Sequence, residues 1–199
     1  MDLAQRYQDV ARRVAGRARL VAVSKSGSVD DIRALYELGH RDFGENRAKQ
    51  LAERAAALPA DIRWHFIGNL QSRDLRTLAE LKPLVHSFDR LDLAAKWPRD
   101  LPVLLQVDFT GREDRNGIVP AGVADALATV RKADIEVVGL STLPPADADP
   151  RPVFRALREL RDAHGLRELS MGMSEDYEAA LDEAATMVRV GRAIFAEAP

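Results

Sequence analysis

The sequence contains no cysteine among its 199 residues. This absence excludes a disulfide framework, thiolate catalysis and any metal site with cysteine ligands. An excess of one charge is also missing, since 29 Lys and Arg residues face 31 Asp and Glu residues and the formal net charge is -2. That balance gives no reason to expect nucleic acid or an anionic membrane as a partner.

Other absences narrow the class of protein further. No apolar run approaches the length that spans a bilayer, and residues 1–6 lack the apolar core of a secretory signal. We therefore expect a soluble, cytoplasmic protein that does not contact the membrane. No metal site is predicted, because no two histidines have a metal-ligand spacing on one helix face. The histidines are His40, His65, His86 and His164.

What the chain does have is a regular alternation of short apolar runs and amphipathic stretches. The runs cover residues 20–24, 41–44, 63–68, 84–88, 103–109, 136–142, 167–171 and 187–191. Strands that alternate with helices are typical of a parallel sheet, and eight of them are the number that closes a (β/α)8 barrel. We predict one α/β barrel domain over residues 1–199, with short connections. An open doubly wound sheet is the alternative.

Helix signals support this arrangement. A helix is expected over residues 3–14, before the first strand. Ser28 and Asp31 form a capping-box pattern before the next helix, and Gly39 marks its end. After Pro120, apolar residues at helical spacing predict a further helix.

Lys25 directly follows the first apolar run and is the first candidate for chemistry. Side chains alternate along a strand, so Lys25 shares a face with Val21 and Val23 and would stand at the barrel mouth, where such barrels carry their active sites. We expect burial there to favour the neutral amine, a nucleophile that forms Schiff bases with aldehydes. The alternative is a lysine that simply reaches solvent.

The seventh and eighth runs end in glycine-containing segments that suit an anion. Barrels frequently bind phosphate between the loops after these two strands, where helix N-termini offer free N–H groups. The candidate residues are Gly172, Met173, Ser174, Arg189, Gly191 and Arg192. Ser174 could instead be a plain helix cap, and Arg189 could form a salt bridge within the barrel. A helix expected to open at Glu175 would also place negative charge, from Glu175 and Asp176, beside the anion.

Four further polar residues lie in or near the predicted strands. Asn46 follows the second run and could contact a ligand or cap the next helix. His65 lies within an apolar strand and is interpreted as a core residue. Gln106 and Asp108 share one strand face and could line the lumen near the mouth.

Taken together, these segments resemble a known family. The matching stretches are residues 20–25, 41–46, 64–68, 70–72, 169–174 and 187–191, in the order and spacing of the pyridoxal phosphate homeostasis proteins, which are relatives of the N-terminal domain of alanine racemase. The resemblance runs through most of the chain. The combination of motifs is specific, although any one of them is not.

The resemblance implies a single (β/α)8 barrel that binds pyridoxal 5'-phosphate (PLP). It makes Lys25 the Schiff-base lysine, places Ser174, Arg189 and Gly191 on the phosphate-binding loops, and makes Asn46 a cofactor-facing residue. The implied role is intracellular PLP homeostasis, in which the cofactor is buffered or delivered without catalysis. PLP-requiring apoenzymes are the candidate recipients, and a monomer is expected.

The chain departs from the family pattern at three places. Arg73 and Asp74 stand where relatives often have Asn-Lys. Arg192 replaces a small hydroxyl residue, which puts a side-chain phosphate contact at that position in doubt. Asp108 stands where asparagine is frequent, and it could alter the charge near the cofactor.

The rival hypothesis is a PLP-dependent racemase or decarboxylase of small amino acids. A two-base racemase needs a second proton-handling group opposite Lys25, and in the resembling racemases that group belongs to a C-terminal domain. The sequence ends at Pro199, so we expect no such domain here. Tyr7, Tyr36 and Tyr177 remain, but the sequence places none of them opposite Lys25.

Overall fold

A computed structural model describes residues 1–112 and 114–195. Its centre is a closed barrel of eight parallel strands in sequential order, as the alternation of apolar runs predicts. The strands are β1 (Arg19–Val23), β2 (Asp42–Glu45), β3 (Arg63–Phe66), β4 (Leu84–Phe88), β5 (Val103–Val107), β6 (Val137–Thr142), β7 (Glu168–Ser170) and β8 (Met187–Val190). β1 pairs with both β2 and β8, which closes the barrel.

Helices surround the barrel. They are α1 (Leu3–Val14), α2 (Val29–Glu37), α3 (Ala48–Ala57), α4 (Leu75–Leu81), α5 (Val123–Lys132), α6 (Arg151–Ala163), α7 (Tyr177–Asp182) and α8 (Arg192–Phe195). Among the described residues, no helix combines the length and the apolar character that crossing a membrane requires.

Local capping accounts for the helix starts that the sequence predicts. α1 has the predicted bounds and opens with a capping box between Asp2 and Gln5. In α2, Ser28 accepts the N–H of Asp31 at 3.0 Å, and Asp31 accepts the N–H of Ser28 at 2.7 Å. These reciprocal bonds satisfy two N–H groups that the first helical turn leaves free.

The connection from β4 to β5, residues 89–102, is the shortest of the connections between consecutive strands. In place of an α-helix it has 3₁₀ turns over Leu91–Lys96. Trp97 then packs edge-on against Phe88, with ring centroids 4.8 Å apart, and its indole N–H donates to the Leu101 carbonyl at 2.9 Å. Trp97 thus packs, with the buried Leu93, Ala94 and Leu101, where other connections have an α-helix, and this connection stays short.

The core has two compartments. Most buried apolar residues pack between the strands and the helices, while Val21, Leu104 and Met187 form a separate apolar cluster inside the lumen. Side chains alternate along each strand, so the next lumen position on β8 toward its carboxyl end is Arg189. The lumen therefore holds a buried polar side chain beside the apolar cluster, since Arg189 lies in register with Val21 of β1.

One predicted helix boundary is wrong. The helix expected to open at Glu175 begins at Tyr177. Residues 174–176 form a turn in which Asp176 accepts the N–H of Met173 at 2.5 Å. Because that side chain satisfies a backbone donor ahead of the helix, the chain turns before α7 starts.

Candidate functional site

Four loops meet at one sector of the barrel mouth. Lys25 lies after β1, Asn46 after β2, residues 172–174 after β7 and residues 191–192 after β8. These strands are consecutive in the closed order β7-β8-β1-β2, and parallel strands bring their carboxyl ends to the same side. The candidates Lys25 and Asn46 and those on the two glycine-containing loops therefore lie at the mouth, with Arg189 just inside it.

Lys25 is more exposed than the sequence suggests. β1 ends at Val23, and residues 25–26 form a turn in which the Lys25 side chain is exposed. The expectation that Lys25 is buried at a strand end is therefore wrong. The turn keeps the amine at the mouth, where a ligand that fills the site could cover it.

A buried ion pair holds the turn that carries Lys25. Arg54 on α3 donates to the carbonyl of Ser24 at 2.7 Å and to that of Gly27 at 2.6 Å, so it grips the backbone on both sides of Lys25. Arg54 also forms an ion pair with Glu45, which accepts the Ser24 hydroxyl at 2.5 Å. Burial raises the pKa of Glu45, and the bonds from Ser24 and Arg54 oppose that rise.

Asn46 is half-buried beside this turn. It does not cap α3, because the residue at the cap position is Arg47, whose side chain makes no capping bond. Gly68 packs directly on the Asn46 backbone, and a Cβ at Gly68 would lie 2.0 Å from the Asn46 carbonyl oxygen. The glycine after β3 therefore lets the Asn46 segment sit close against the next strand.

Arg189 is a buried cation that forms no salt bridge within the described part of the chain. Its guanidinium donates to the Ser170 carbonyl at 2.6 Å, to the Ser170 hydroxyl at 2.5 Å and to the Thr142 carbonyl at 2.9 Å. Within the described residues no acidic side chain forms a salt bridge with it, so the predicted alternative of an internal salt bridge is wrong. Burial lowers the pKa of Arg189 to about 10, although the charge of Asp176 opposes this shift.

The loop after β7 is shaped by packing against α7. Gly172 has φ +89°, and a Cβ there would lie 2.6 Å from the Cβ of Ala180. The glycine is therefore required by helix packing, apart from any approach to an anion. The N–H of Met173 is already used by Asp176, as described above.

Ser174 joins the two candidate phosphate loops. Its hydroxyl oxygen accepts the N–H of Ala193 at 3.2 Å, so it bonds to the start of α8 and does not cap α7. Within the described residues, no hydrogen bond uses the backbone N–H of Ser174, Gly191 or Arg192. These donors remain available at the mouth.

Arg192 and Glu175 form an exposed ion pair at the rim, with nitrogen and oxygen 2.8 Å apart. Glu175 was expected to place negative charge beside the anion. Arg192 partly neutralises the charge of Glu175, so this repulsion is reduced. The pair also gives the departure at Arg192 a structural role, although such an exposed pair adds little to stability.

The other residues that depart from the family pattern, Asp108 and Asp74, form local hydrogen bonds. Asp108 is buried and accepts the Thr110 N–H at 3.0 Å, the Thr110 hydroxyl at 2.7 Å and the Gly111 N–H at 3.2 Å. Gln106 donates to the Asn116 carbonyl at 2.8 Å. Both side chains thus brace the loop after β5. Asp74, next to the exposed Arg73, accepts the N–H of Gln71 at 3.2 Å.

Sequence reasoning missed the residues that hold the site in place. Arg54 lies on the buried face of α3 with Ala48 and Leu51, and a charge on an apolar helical stripe is a signal that could have identified it. Asp42 and Glu45 likewise place carboxylates in a fully buried strand. Buried charges are paired in folded proteins, so both residues pointed to partners that the linear sequence does not reveal.

Comparisons with known proteins identify the family. The family model for the alanine racemase N-terminal domain matches residues 2–199. A pyridoxal phosphate homeostasis protein of Deinococcus radiodurans is 41% identical, with 94% of this chain and 92% of that protein covered. Its counterpart from Aquifex aeolicus is 37% identical, with 97% and 94% covered.

A solved structure has the same fold over nearly the whole chain. PipY of Synechococcus elongatus with PLP bound superposes with a TM-score of 0.88 at 30% identity, covering 98% of this chain and 100% of that one. The chain therefore belongs to the alanine racemase N-terminal domain family and, within it, to the pyridoxal phosphate homeostasis proteins.

Proposed function

We propose that this protein binds PLP reversibly at the barrel mouth, as a Schiff base on Lys25, and so buffers or delivers the cofactor inside the cell. Lys25 would supply the amine that condenses with the PLP aldehyde, with formation of a carbon–nitrogen double bond and release of water. The reverse reaction with water returns both partners. PLP supplies the electrophilic aldehyde, and the protein supplies the amine and the anion site.

The buried Arg189 is the observation that carries this proposal. A guanidinium taken out of water is costly unless it is paired, and in the described residues its hydrogen-bond partners are neutral oxygens. An anionic ligand at the mouth would supply the missing negative charge. The free N–H groups of Gly191 and Arg192 add donors to that ligand's phosphate, and Asn46 lies on the other side of the Lys25 turn.

The surroundings of Lys25 favour carrying over catalysis. The three tyrosines considered as a second base lie in the outer helical layer, where their hydroxyls bond to other side chains. Tyr7 bonds to His40 at 3.3 Å, Tyr36 to Asp61 at 2.7 Å and Tyr177 to Glu178 at 3.4 Å. A protein that only binds and releases PLP needs no such base, whereas a two-base racemase does.

The direct test is covalent trapping of the cofactor. Mixing the protein with PLP should give a visible absorbance band, and borohydride should then fix one PLP on Lys25, as located by peptide mass spectrometry. Lys25→Ala should abolish trapping. Lys49→Ala is the matched control, because Lys49 is exposed at the start of α3 at the same end of the barrel, and it should leave trapping unchanged.

Two results would contradict the proposal. If the wild type shows no absorbance band with PLP, the protein does not form the proposed Schiff base. If borohydride traps PLP on another lysine, Lys25 does not have the proposed role. Carrier and racemase are separated by incubating the PLP-loaded protein with each alanine enantiomer. A carrier leaves each enantiomer as it was, while rapid interconversion would establish a racemase.

A further inference from the structure

An unbroken series of hydrogen-bonded polar side chains crosses the barrel lumen below the mouth. His65 contacts Asp42 with 3.1 Å between Nε2 and Oδ1, and its Nδ1 lies 2.9 Å from Nε2 of His86. His86 Nδ1 lies 2.7 Å from the Ser170 hydroxyl, which Arg189 contacts at 2.5 Å. We call these five residues the lumen relay. β4 and β7 are not neighbours in the barrel, so the bond from His86 to Ser170 must span the interior.

The charge at one end fixes the direction of every bond in the relay. Burial opposes the ionisation of Asp42, but hydrogen bonds from His65 and Arg63 outweigh it and hold the pKa of the carboxyl well below its usual range. An ionised carboxylate only accepts hydrogen bonds. His65 must therefore donate from Nε2, which leaves its Nδ1 as an acceptor.

The remaining protons follow in order. His86 donates from Nε2 to His65, so its own Nδ1 accepts the Ser170 hydroxyl proton. With that proton committed to His86, the lone pairs of the Ser170 oxygen are directed to the donor at the far end, the guanidinium of Arg189. Every donor in the lumen relay points toward Asp42, and both histidines are in the Nε2–H tautomer.

Burial keeps the relay in this state. The two histidines are each 2% exposed, and Ser170 is fully buried. Removal from water lowers the pKa of His65 and lowers that of His86 well below its usual value, so both rings are neutral at pH 7. A proton added to the pair would reverse the donors, because two N–H groups cannot face each other between His65 and His86.

We propose that Asp42, acting through the Nε2–H tautomers of His65 and His86, positions the Arg189 guanidinium for the ligand at the mouth. The relay substitutes for a carboxylate next to Arg189, which would compete with an anionic ligand. His65, His86 and Ser170 are thus positioning residues. This inference rests on the proposed function only for the identity of the ligand.

The tautomers can be observed without any ligand. Long-range ¹H–¹⁵N NMR distinguishes the protonated from the unprotonated ring nitrogen, and the chain has only four histidines to resolve. We expect His65 and His86 to be neutral Nε2–H tautomers at pH 7. An Nδ1–H tautomer at either position, or a charged ring, would overturn the relay whether or not PLP binds.

The functional arm compares two variants of the central residue. His86→Gln keeps one amide donor toward His65 and one acceptor toward Ser170, whereas His86→Phe keeps a ring of similar size and loses both. We expect His86→Phe to weaken PLP binding about tenfold, the lower part of the range for a buried polar group left unpaired, and His86→Gln to stay within about threefold of the wild type. Affinity is read from the absorbance band of the PLP-loaded protein.

His40 is an internal control for the fold. Its Nε2 lies 2.8 Å from the backbone carbonyl oxygen of Asp42 and does not contact His86, so its NMR signals should be the same in the wild type and in both variants if the fold is kept. His86→Phe protein with unchanged His40 signals and wild-type PLP affinity would overturn the positioning role. If wild-type protein fails to bind PLP, the proposed function falls, and the tautomers still decide whether the relay exists.

Discussion

At the scale of single residues, the position of Lys25 depends on a buried ion pair. The turn that carries it leaves the amine exposed, and the backbone on either side is held by Arg54. Glu45 is fully buried and one of its carboxylate oxygens has no hydrogen-bond partner. Burying this ion pair therefore has a desolvation cost, and we interpret the pair as a means of fixing the Lys25 turn at the mouth.

We predict that Arg54→Met destabilises the protein by about 3–5 kcal/mol, the cost of leaving one partner of a buried pair uncompensated. The free energy of unfolding in urea measures this. Replacing Glu45 as well, in Arg54→Met/Glu45→Gln, should restore much of the stability, because the remaining partner of the pair is then uncharged.

The double variant also separates stability from positioning. If the pair fixes the Lys25 turn, the stable double variant should still bind PLP more weakly than the wild type, since the carbonyls of Ser24 and Gly27 have lost their common donor. A double variant with both wild-type stability and wild-type affinity would contradict the role assigned to Arg54.

The limits of sequence reasoning are clearest at this scale. The local pattern of an apolar run followed by a lysine identified Lys25 as a candidate, because strand alternation and barrel geometry are short-range rules. His65 was interpreted as a core residue, and it is buried, but its partners could not be inferred. His86 and Ser170 are 84 residues apart, and only closure of the barrel brings them together.

At the scale of elements, the loop after β7 shows how helix packing sets the site. Gly172 has φ +89° and lies against α7. Gly165, at the end of α6, has φ +62°, but a Cβ there would meet nothing within 4 Å. The two glycines share the left-handed conformation and differ in the space around them.

We predict that Gly172→Ala costs more stability than Gly165→Ala. A left-handed backbone costs an L-residue about 1–2 kcal/mol at either site, and Gly172→Ala adds a steric cost of about 1–3 kcal/mol because α7 must move. Thermal and urea unfolding of both variants measure the difference. Equal losses would show that backbone conformation alone explains Gly172, and that α7 is free to adjust.

Element boundaries followed from the sequence where capping is local. α1 was predicted over the bounds that it has, and the start of α2 was predicted from the local pair Ser28 and Asp31. The start of α7 was not, because it depends on Asp176 accepting the Met173 N–H. Glu175 and Asp176 are compatible with a first helical turn, and nothing in their sequence shows that one of them is used before it.

At the scale of the whole molecule, counting strands favoured the barrel as the predicted fold. Eight apolar runs with helical gaps indicated a parallel sheet, and eight is the number of strands that closes a (β/α)8 barrel, with an open doubly wound sheet as the alternative. The number of strands does not predict which side chains meet in the lumen, because that depends on the order and register of the strands. The polar interior appears only after closure, and it has a consequence for the stability of the entire fold.

Three buried histidines, His40, His65 and His86, have pKa values lowered by burial. They stay neutral in the folded protein and take up protons when the chain unfolds below their usual pKa of about 6.5. The unfolded state then binds more protons, so stability falls as the pH decreases. We predict that the free energy of unfolding drops between pH 7.5 and 5.5, by up to about 1.4 kcal/mol per pH unit for each histidine.

His86→Gln isolates one of these contributions, because it removes a single titrating ring and keeps a donor and an acceptor in its place. The variant should lose less stability on acidification than the wild type. Taking the difference between the two proteins cancels carboxyl groups such as Glu45, whose raised pKa acts in the opposite direction. Urea unfolding at each pH provides the measurement, and parallel pH profiles would mean that His86 does not stay neutral in the folded barrel.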